Sequence, residues 1–244
     1  MPIVAWAGFL MLRGLERCVC FGATYADAPF YDPTQFKWLE ALEADSAAMK
    51  EEALRMLEKF DSLMSLSHLS KYQENVDNDD HWKVFILSGY GMIPRIASEW
   101  CPRTVEALHR VNGLSTAVFS ILHPGKRIAP HRGLYKGLSR CHLALVVPTD
   151  AEACWIRVGD ETRHWTQGRT LVFEDTMEHE VWNQTDEFRV VLLITFQRPL
   201  RLPFRLMNRG ILWLVSKSPY VTDTVHRYRE WEDKIIKAEE LKAR

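Results

Sequence analysis

The chain carries nine histidines, and neutral imidazole is the commonest metal ligand a protein offers. His68, His81, His109 and His226 read as loop or helix residues with no second candidate ligand nearby. His123 precedes the Pro124-Gly125 turn and His164 sits in the second arm of a hairpin, so both read as structural. His131, His142 and His179 differ, because they fall in or beside short apolar runs that read as strands. Strands of a small barrel alternate their side chains inward and outward, so separated histidines can meet at one mouth. Spacing alone favours hydrogen-bonded structural histidines over ligands. Two arginines raise the chemical interest. Arg140 stands two residues before His142, which puts both on one face of a strand, and Arg189 opens the apolar run Val190–Phe196. An arginine turned into a barrel needs an anion, because an unpaired buried charge is very costly. A carboxylate is the natural partner, since it accepts paired N–H bonds from the guanidinium fork. That carboxylate is either an internal Asp or Glu or part of a ligand, and spacing does not separate the two.

The elements that must position these residues divide the chain into three parts. Residues 1–80 read as an N-terminal arm and a helical part. From about Gln35 to Phe60 the apolar residues Leu39, Leu42, Met49, Ala53, Met56, Leu57 and Phe60 form one stripe of an amphipathic helix, with Glu40, Glu43, Glu51, Glu52 and Glu58 left for the wet face. Ser70–His81 is polar and reads as an exposed loop. Residues 81–199 change character: Trp82–Leu87, Thr116–Leu122, His142–Val147, Cys154–Val158, Leu171–Phe173 and Val190–Phe196 are short runs rich in β-branched and aromatic residues. Turn signals separate many of them, and Cys154–Val158 with Glu161–Trp165 reads as a hairpin closed by Gly159-Asp160. One helix, from about Pro102 to Val111, interrupts the region. Many short strands without alternating helices predict a mainly β domain with flanking helices, a sandwich or barrel.

Residues 200–244 form a basic-apolar and helical tail. No acidic residue occurs between Arg189 and Val221, where Arg198, Arg201, Arg205, Arg209 and Lys217 interleave with Leu202, Phe204, Leu206, Met207 and Ile211–Val215. Such a mixture suits a membrane interface, so segment 198–217 is a candidate for peripheral membrane contact. The simpler expectation is a helix or arm that packs on the domain and shows its arginines to water. Tyr228–Arg244 is polar and reads as a solvated last helix.

Composition narrows the function classes. With 244 residues the chain can build one sizeable domain, and its 47% hydrophobic and 26% charged residues are ordinary for a globular protein. Thirty-one Lys+Arg against 32 Asp+Glu give a formal net charge of −1, which leaves no whole-chain argument for nucleic acid. Five cysteines, an odd number without zinc-ribbon spacing, fit reduced thiols, and Cys18-Val-Cys20 reads as structural. The apolar run Pro2–Leu12 is too short to span a bilayer, and Arg13 and Arg17 follow it, the wrong order for a signal peptide. The expectation is a cytoplasmic protein, with membrane association through the tail as a variant of it.

Four stretches together resemble the aspartyl/asparaginyl β-hydroxylase family: His123-Pro-Gly, His131-Arg-Gly-Leu-Tyr-Lys-Gly, Arg140-Cys-His142-Leu-Ala-Leu-Val-Val-Pro148, and Phe173-Glu-Asp-Thr-Met-Glu-His179 continuing to Arg189. They occur in order over roughly Phe30 to Pro199. The resemblance implies an iron(II)- and 2-oxoglutarate-dependent dioxygenase on a double-stranded β-helix, a jelly-roll, cupin-like barrel. It implies His131 and His179 as iron ligands, Arg189 and Ser120 on the distal carboxylate of 2-oxoglutarate, and Arg140 and His142 on the carboxylate beside its keto group. Open metal positions would serve the keto acid and O2.

The wider superfamily usually places a ligating carboxylate two residues after the first histidine, where this chain has Gly133. Glycine there resembles the animal protein hydroxylases of the family and departs from the aspartate common in its bacterial lipid-hydroxylating branch. It also resembles dioxygenase-like halogenases, in which halide takes the open position. Asp175, Glu178 and Glu180 are expected to support the site or face solvent. The leading expectation is hydroxylation of the β-carbon of an aspartyl, asparaginyl or related amino-acid unit, free or peptidyl. The alternatives are hydroxylation of a membrane-lipid acyl chain, of lipid A or ornithine-lipid type, and a non-catalytic barrel that binds a metal or an anion.

Overall fold

The computed structural model describes residues 16, 18–69, 79–89 and 91–242. The apolar run Pro2–Leu12 and most of the loop Ser70–His81 lie outside them. Among the described residues, eleven strands form two sheets, a larger one in the order β1-β9-β6-β11-β4-β3-β2 and a smaller one in the order β5-β10-β7-β8. The larger sheet contains β1 (Phe30–Tyr31), β2 (Met64–Ser65), β3 (Trp82–Gly89), β4 (Leu114–Leu122), β6 (Leu138–Val146), β9 (Thr170–Phe173) and β11 (Arg189–Gln197). The smaller contains β5 (Arg127–His131), β7 (Cys154–Val158), β8 (Glu161–His164) and β10 (His179–Asn183). All the pairings are antiparallel, and the two facing sheets with flanking helices are the expected mainly β jelly-roll. The hairpin β7–β8 closes on Gly159 at φ +57°, a left-handed conformation that favours glycine.

Burial explains which runs became which strands. β11 is covered on both faces over most of its length, so it reads as the continuous apolar run Val190–Phe196, whereas β7 alternates buried and half-buried residues. On the inner face, Trp82, Leu122, Ala144, Phe173 and Val191 of the larger sheet pack against Ile128, Ile156, Val158 and Val181 of the smaller. On the outer face, Phe119, Ile121, Leu143, Leu192 and Ile194 pack under the helices.

The helix expected over Gln35–Phe60 is two helices, α1 (Trp38–Ala44) and α2 (Ser46–Glu58), which meet at Asp45. Glu52 of α2 is not on the wet face. It is 2% exposed, and its carboxylate accepts from the Arg103 and Thr104 amides and the Thr104 hydroxyl. Those are the first residues of α5 (Pro102–Leu108), which follows α4 (Arg95–Trp100), so a neighbouring helix satisfies donors that α5 leaves open.

The tail forms α6 (Phe204–Ser216) and α7 (Pro219–Lys242). The second is not merely solvated. Tyr228 is fully buried, accepts from the Ile86 amide and donates to the Ile86 carbonyl, while Glu232 accepts from the Ile96 amide. Its polar residues serve backbone groups of the domain, which composition alone does not reveal. α6 packs Phe204, Met207, Ile211 and Leu212 against Val19, Tyr135 and Leu200.

A buried ionic network ties the tail to the strand ends. The Arg198 guanidinium, fully enclosed, donates to Glu174 at 2.5 Å and to Asp27 at 2.6 Å. Glu174 also accepts from Tyr31 and Thr176, and Asp27 pairs with Lys136 at 2.6 Å. Removing one partner leaves its counterpart charged and unpaired inside the protein. Arg198→Ala is therefore expected to cost roughly 3–5 kcal/mol of folding stability, read as a lower urea midpoint with an unchanged slope.

Candidate active site

His131 ends β5 and His179 opens β10, and the two are direct register partners across the smaller sheet. Their ring centroids lie 4.1 Å apart. Each Nδ1 sits within hydrogen-bond distance of the carbonyl oxygen two residues earlier, Ala129 for His131 at 2.8 Å and Met177 for His179 at 3.0 Å. A carbonyl only accepts, so each imidazole carries its proton on Nδ1 and leaves Nε2 with a free lone pair. Burial holds both rings neutral. It pushes His131 below the usual imidazole range and His179 down to about 3, with the nearby His131 and Arg140 adding to the effect on His179. Two neutral, oriented imidazoles side by side are what a divalent metal requires of its nitrogen ligands. Among the described residues, no group of three or more His, Cys, Asp or Glu is gathered as a metal cage.

The space beside the pair accounts for Gly133. A Cβ there would come within 2.5 Å of the Asp175 carboxyl carbon, and the Gly133 amide donates to the Asp175 carbonyl at 2.6 Å. Asp175 is 5% exposed and pairs with Arg140 at 3.0 Å. Its carboxyl thus fills the volume that a side chain at position 133 would take. Burial pushes it above the usual carboxylate range, against the pull of Arg140. Asp175 acts on the site through Arg140. Glu180 instead binds Arg127 and Arg157 at the sheet surface, and Glu178 reaches only Arg157.

The inner face of the larger sheet holds a second cluster. Val191 of β11 is opposite Ser120, Leu193 is opposite His142 and Thr195 is opposite Arg140. Register partners share a face, so Ser120, Arg140, His142 and Arg189 all point between the sheets. Arg189 is 1% exposed, and its Nε and one terminal nitrogen have no hydrogen-bond partner. No carboxylate pairs with it among the described residues; its guanidinium lies 4.8 Å from the Trp165 ring centre, and burial pulls it down to about 10. His142, also buried, has both ring nitrogens unpartnered and is held neutral by burial and by the two arginines. The Nε of Arg140 and the indole N–H of Trp165 are likewise buried and unpartnered. The Ser120 hydroxyl accepts from Trp82 at 2.9 Å, leaving its own proton to donate.

The two partner types left open by spacing are thus divided between the two arginines. Arg140 has an internal carboxylate, and Arg189 has none. Buried polar groups are rarely left unpaired, and this collection of donors without acceptors is complementary to an anion. All six expected site residues lie on the inner faces of facing sheets, with Phe173 between them, 4.9 Å from His142 and 5.7 Å from His179 by ring centroids. Trp165, read in the sequence only as the end of a hairpin arm, is the residue that spacing missed. A lone tryptophan in the polar arm Glu161–Gln167 gives no signal that it will be buried with its N–H unpartnered.

The family profile described as Aspartyl/Asparaginyl beta-hydroxylase matches residues 43–199. The chain belongs to this hydroxylase family. An ornithine lipid ester-linked acyl 2-hydroxylase of Rhizobium tropici is 36% identical over 234 residues, which cover 96% of this chain and 80% of that protein. The aspartyl/asparaginyl beta-hydroxylase of Mus musculus is 30% identical over 183 residues, 72% of this chain and 24% of the mouse protein. Among solved structures, a Cupin_2 domain of a transcriptional regulator from Enterobacter cloacae aligns with a TM-score of 0.34 and 12% identity over 49% of this chain and 99% of that domain.

The close approach at Gly133 generates a test. Gly133→Ala forces Asp175 or the backbone to move in a packed region, at a cost of roughly 1–3 kcal/mol. A lowered Tm by differential scanning calorimetry is expected, with a smaller loss for Gly133→Ala when Asp175 is already replaced by Gly.

Proposed function

We propose that the protein is an iron(II)- and 2-oxoglutarate-dependent hydroxylase whose substrate is an acyl chain of an amino-acid-containing membrane lipid. The observation that carries the cosubstrate half is the enclosed Arg189, which has no carboxylate partner among the described residues and lies among other unpartnered donors. A keto acid with a second carboxylate matches this face. One carboxylate is taken by Arg189 and Ser120, the other by Arg140 and His142. The Nε2 atoms of His131 and His179 would hold the metal. Iron(II), with the keto acid and O2, supplies an oxidant able to remove hydrogen from an unactivated C–H bond.

The protein's own work is positional. Arg189 fixes the cosubstrate by a two-point clamp. Trp165 covers the guanidinium and excludes water, which strengthens the ion pair. Asp175 holds Arg140 so that its remaining N–H groups face the site. Neutral His142 donates without adding a third positive charge.

The substrate half is favoured by the extent of the likeness: the rhizobial lipid hydroxylase aligns with 96% of this chain and the mouse protein with 72%. This reorders the expectations, since the β-carbon of an aspartyl or asparaginyl unit stood first in the sequence. That second reading keeps one specific support, the glycine at position 133. Product analysis separates them. Iron-loaded protein with 2-oxoglutarate in air is expected to add one oxygen atom to the acyl chain of an ornithine-type lipid in mixed micelles, seen by mass spectrometry. Oxygen in an aspartyl peptide with none in the lipid would reverse the order. Arg189→Gln is expected to raise the KM for 2-oxoglutarate by about a hundredfold, as loss of a buried charged pair does.

A further inference from the structure

The helix α6 divides its residues sharply. Phe204, Met207, Asn208 and Ile211 turn inward, where Asn208 is 1% exposed. Its amide donates to the Gly137 carbonyl at 2.9 Å, and its oxygen accepts from the Tyr135 hydroxyl at 2.8 Å. A Cβ at Gly137 would overlap both Asn208 and the Tyr135 ring, so the fit at this joint depends on glycine. The segment joined here is the one that runs on from His131 into β6, and its Leu134 is 52% exposed. The same glycine carbonyl accepts from the Arg198 amide. α6 is therefore fastened directly to the chain beside the candidate metal ligands.

The outward residues are of a different kind. Leu206, Trp213 and Leu214 of α6 are 58%, 63% and 59% exposed, and Leu202 just before the helix is 60% exposed. Arg201, Arg205, Arg209 and Lys217 are exposed among them, and none has an ion-pair partner among the described residues. No acidic residue occurs from Arg189 to Thr222. A folded protein ordinarily keeps large apolar side chains off water unless the patch is used. Bulky apolar residues set among unneutralised cations match one surface chemistry, an apolar interior under a negatively charged head-group layer.

We propose that the outer face of α6 docks on an anionic lipid bilayer and, through Asn208, holds the His131 side of the active site against that surface. The proposal rests on the lipid reading above for its purpose, and the experiment separates the two. Arginine side chains lie at the head-group level while Leu206, Trp213 and Leu214 enter the acyl boundary.

The test uses the full chain in sedimentation with vesicles of phosphatidylcholine alone or with phosphatidylglycerol added. Binding is expected to the anionic vesicles, weakening as salt rises. Arg205→Glu/Arg209→Glu is expected to lower the partition coefficient by at least about thirtyfold, since each basic residue near an anionic surface contributes on the order of a fivefold gain. Trp213→Gln/Leu206→Gln is expected to weaken it as well. Quenching of tryptophan emission by brominated lipid should fall in Trp213→Phe. All these side chains are exposed, so the variants should keep the wild-type Tm and 2-oxoglutarate affinity.

Failure of wild type to bind anionic vesicles would overturn the docking proposal even if micellar lipid is hydroxylated. A concentration-dependent dimer abolished by the same variants, without vesicle binding, would overturn it in favour of a second copy of the chain. Vesicle binding without lipid hydroxylation would uphold docking and overturn the substrate reading instead.

Discussion

A guanidinium enclosed in the protein with no carboxylate partner among the described residues is the constraint around which this structure is arranged. Removing a charge from water costs on the order of several kcal/mol even after relaxation, and Arg189 receives little in return beyond the face of Trp165. The core that covers β11 on both faces holds Arg189 in that enclosure. An anion that binds such a side chain in the folded state raises the stability of the fold.

The two halves of the candidate site come from different sheets. The smaller sheet contributes His131 and His179 as register partners, and the larger contributes Ser120, Arg140, His142 and Arg189 on its inner face. The distance between the paired histidines and the buried arginine is therefore the spacing between the sheets, set by Phe173, Val191, Ile156 and their neighbours. Two further connections run outward from this frame. Glu174 adjoins Asp175 in sequence and holds Arg198, while Asn208 holds the Gly137 turn. Both draw the tail towards the strand ends that carry the chemistry. The side of the site next to His131 is thus joined to the inward face of α6 through Asn208.

Much of this was legible in the residues. The β-branched runs marked the central strands, because strands buried on both faces must be apolar throughout. The period-two logic put Arg140 and His142 on one face, as the register has it. The motif order carried the family. What could not be read were relations between distant residues. Asp175 standing in the space over Gly133 depends on the path of a loop, and the joint at Gly137 depends on where a helix some seventy residues later is laid down. The same limit hid the inward turn of Glu52 and Tyr228, since hydropathy assigns a polar side chain to water unless its buried partner is known. Which arginine had an internal carboxylate was equally a matter of tertiary contact. The composition of the tail suited both a packed helix and a membrane face, and α6 packs one face on the domain while its large apolar and basic residues stay exposed on the other.

The most direct test of the central claim is an anaerobic titration of the iron(II)-loaded protein with 2-oxoglutarate, followed by the visible charge-transfer band of a chelated keto acid. A saturable band is expected in the wild type, none in His179→Ala, and a much weaker one in Arg189→Ala at the same cosubstrate concentration. Folded, iron-loaded wild-type protein that shows no band at saturating 2-oxoglutarate would contradict it.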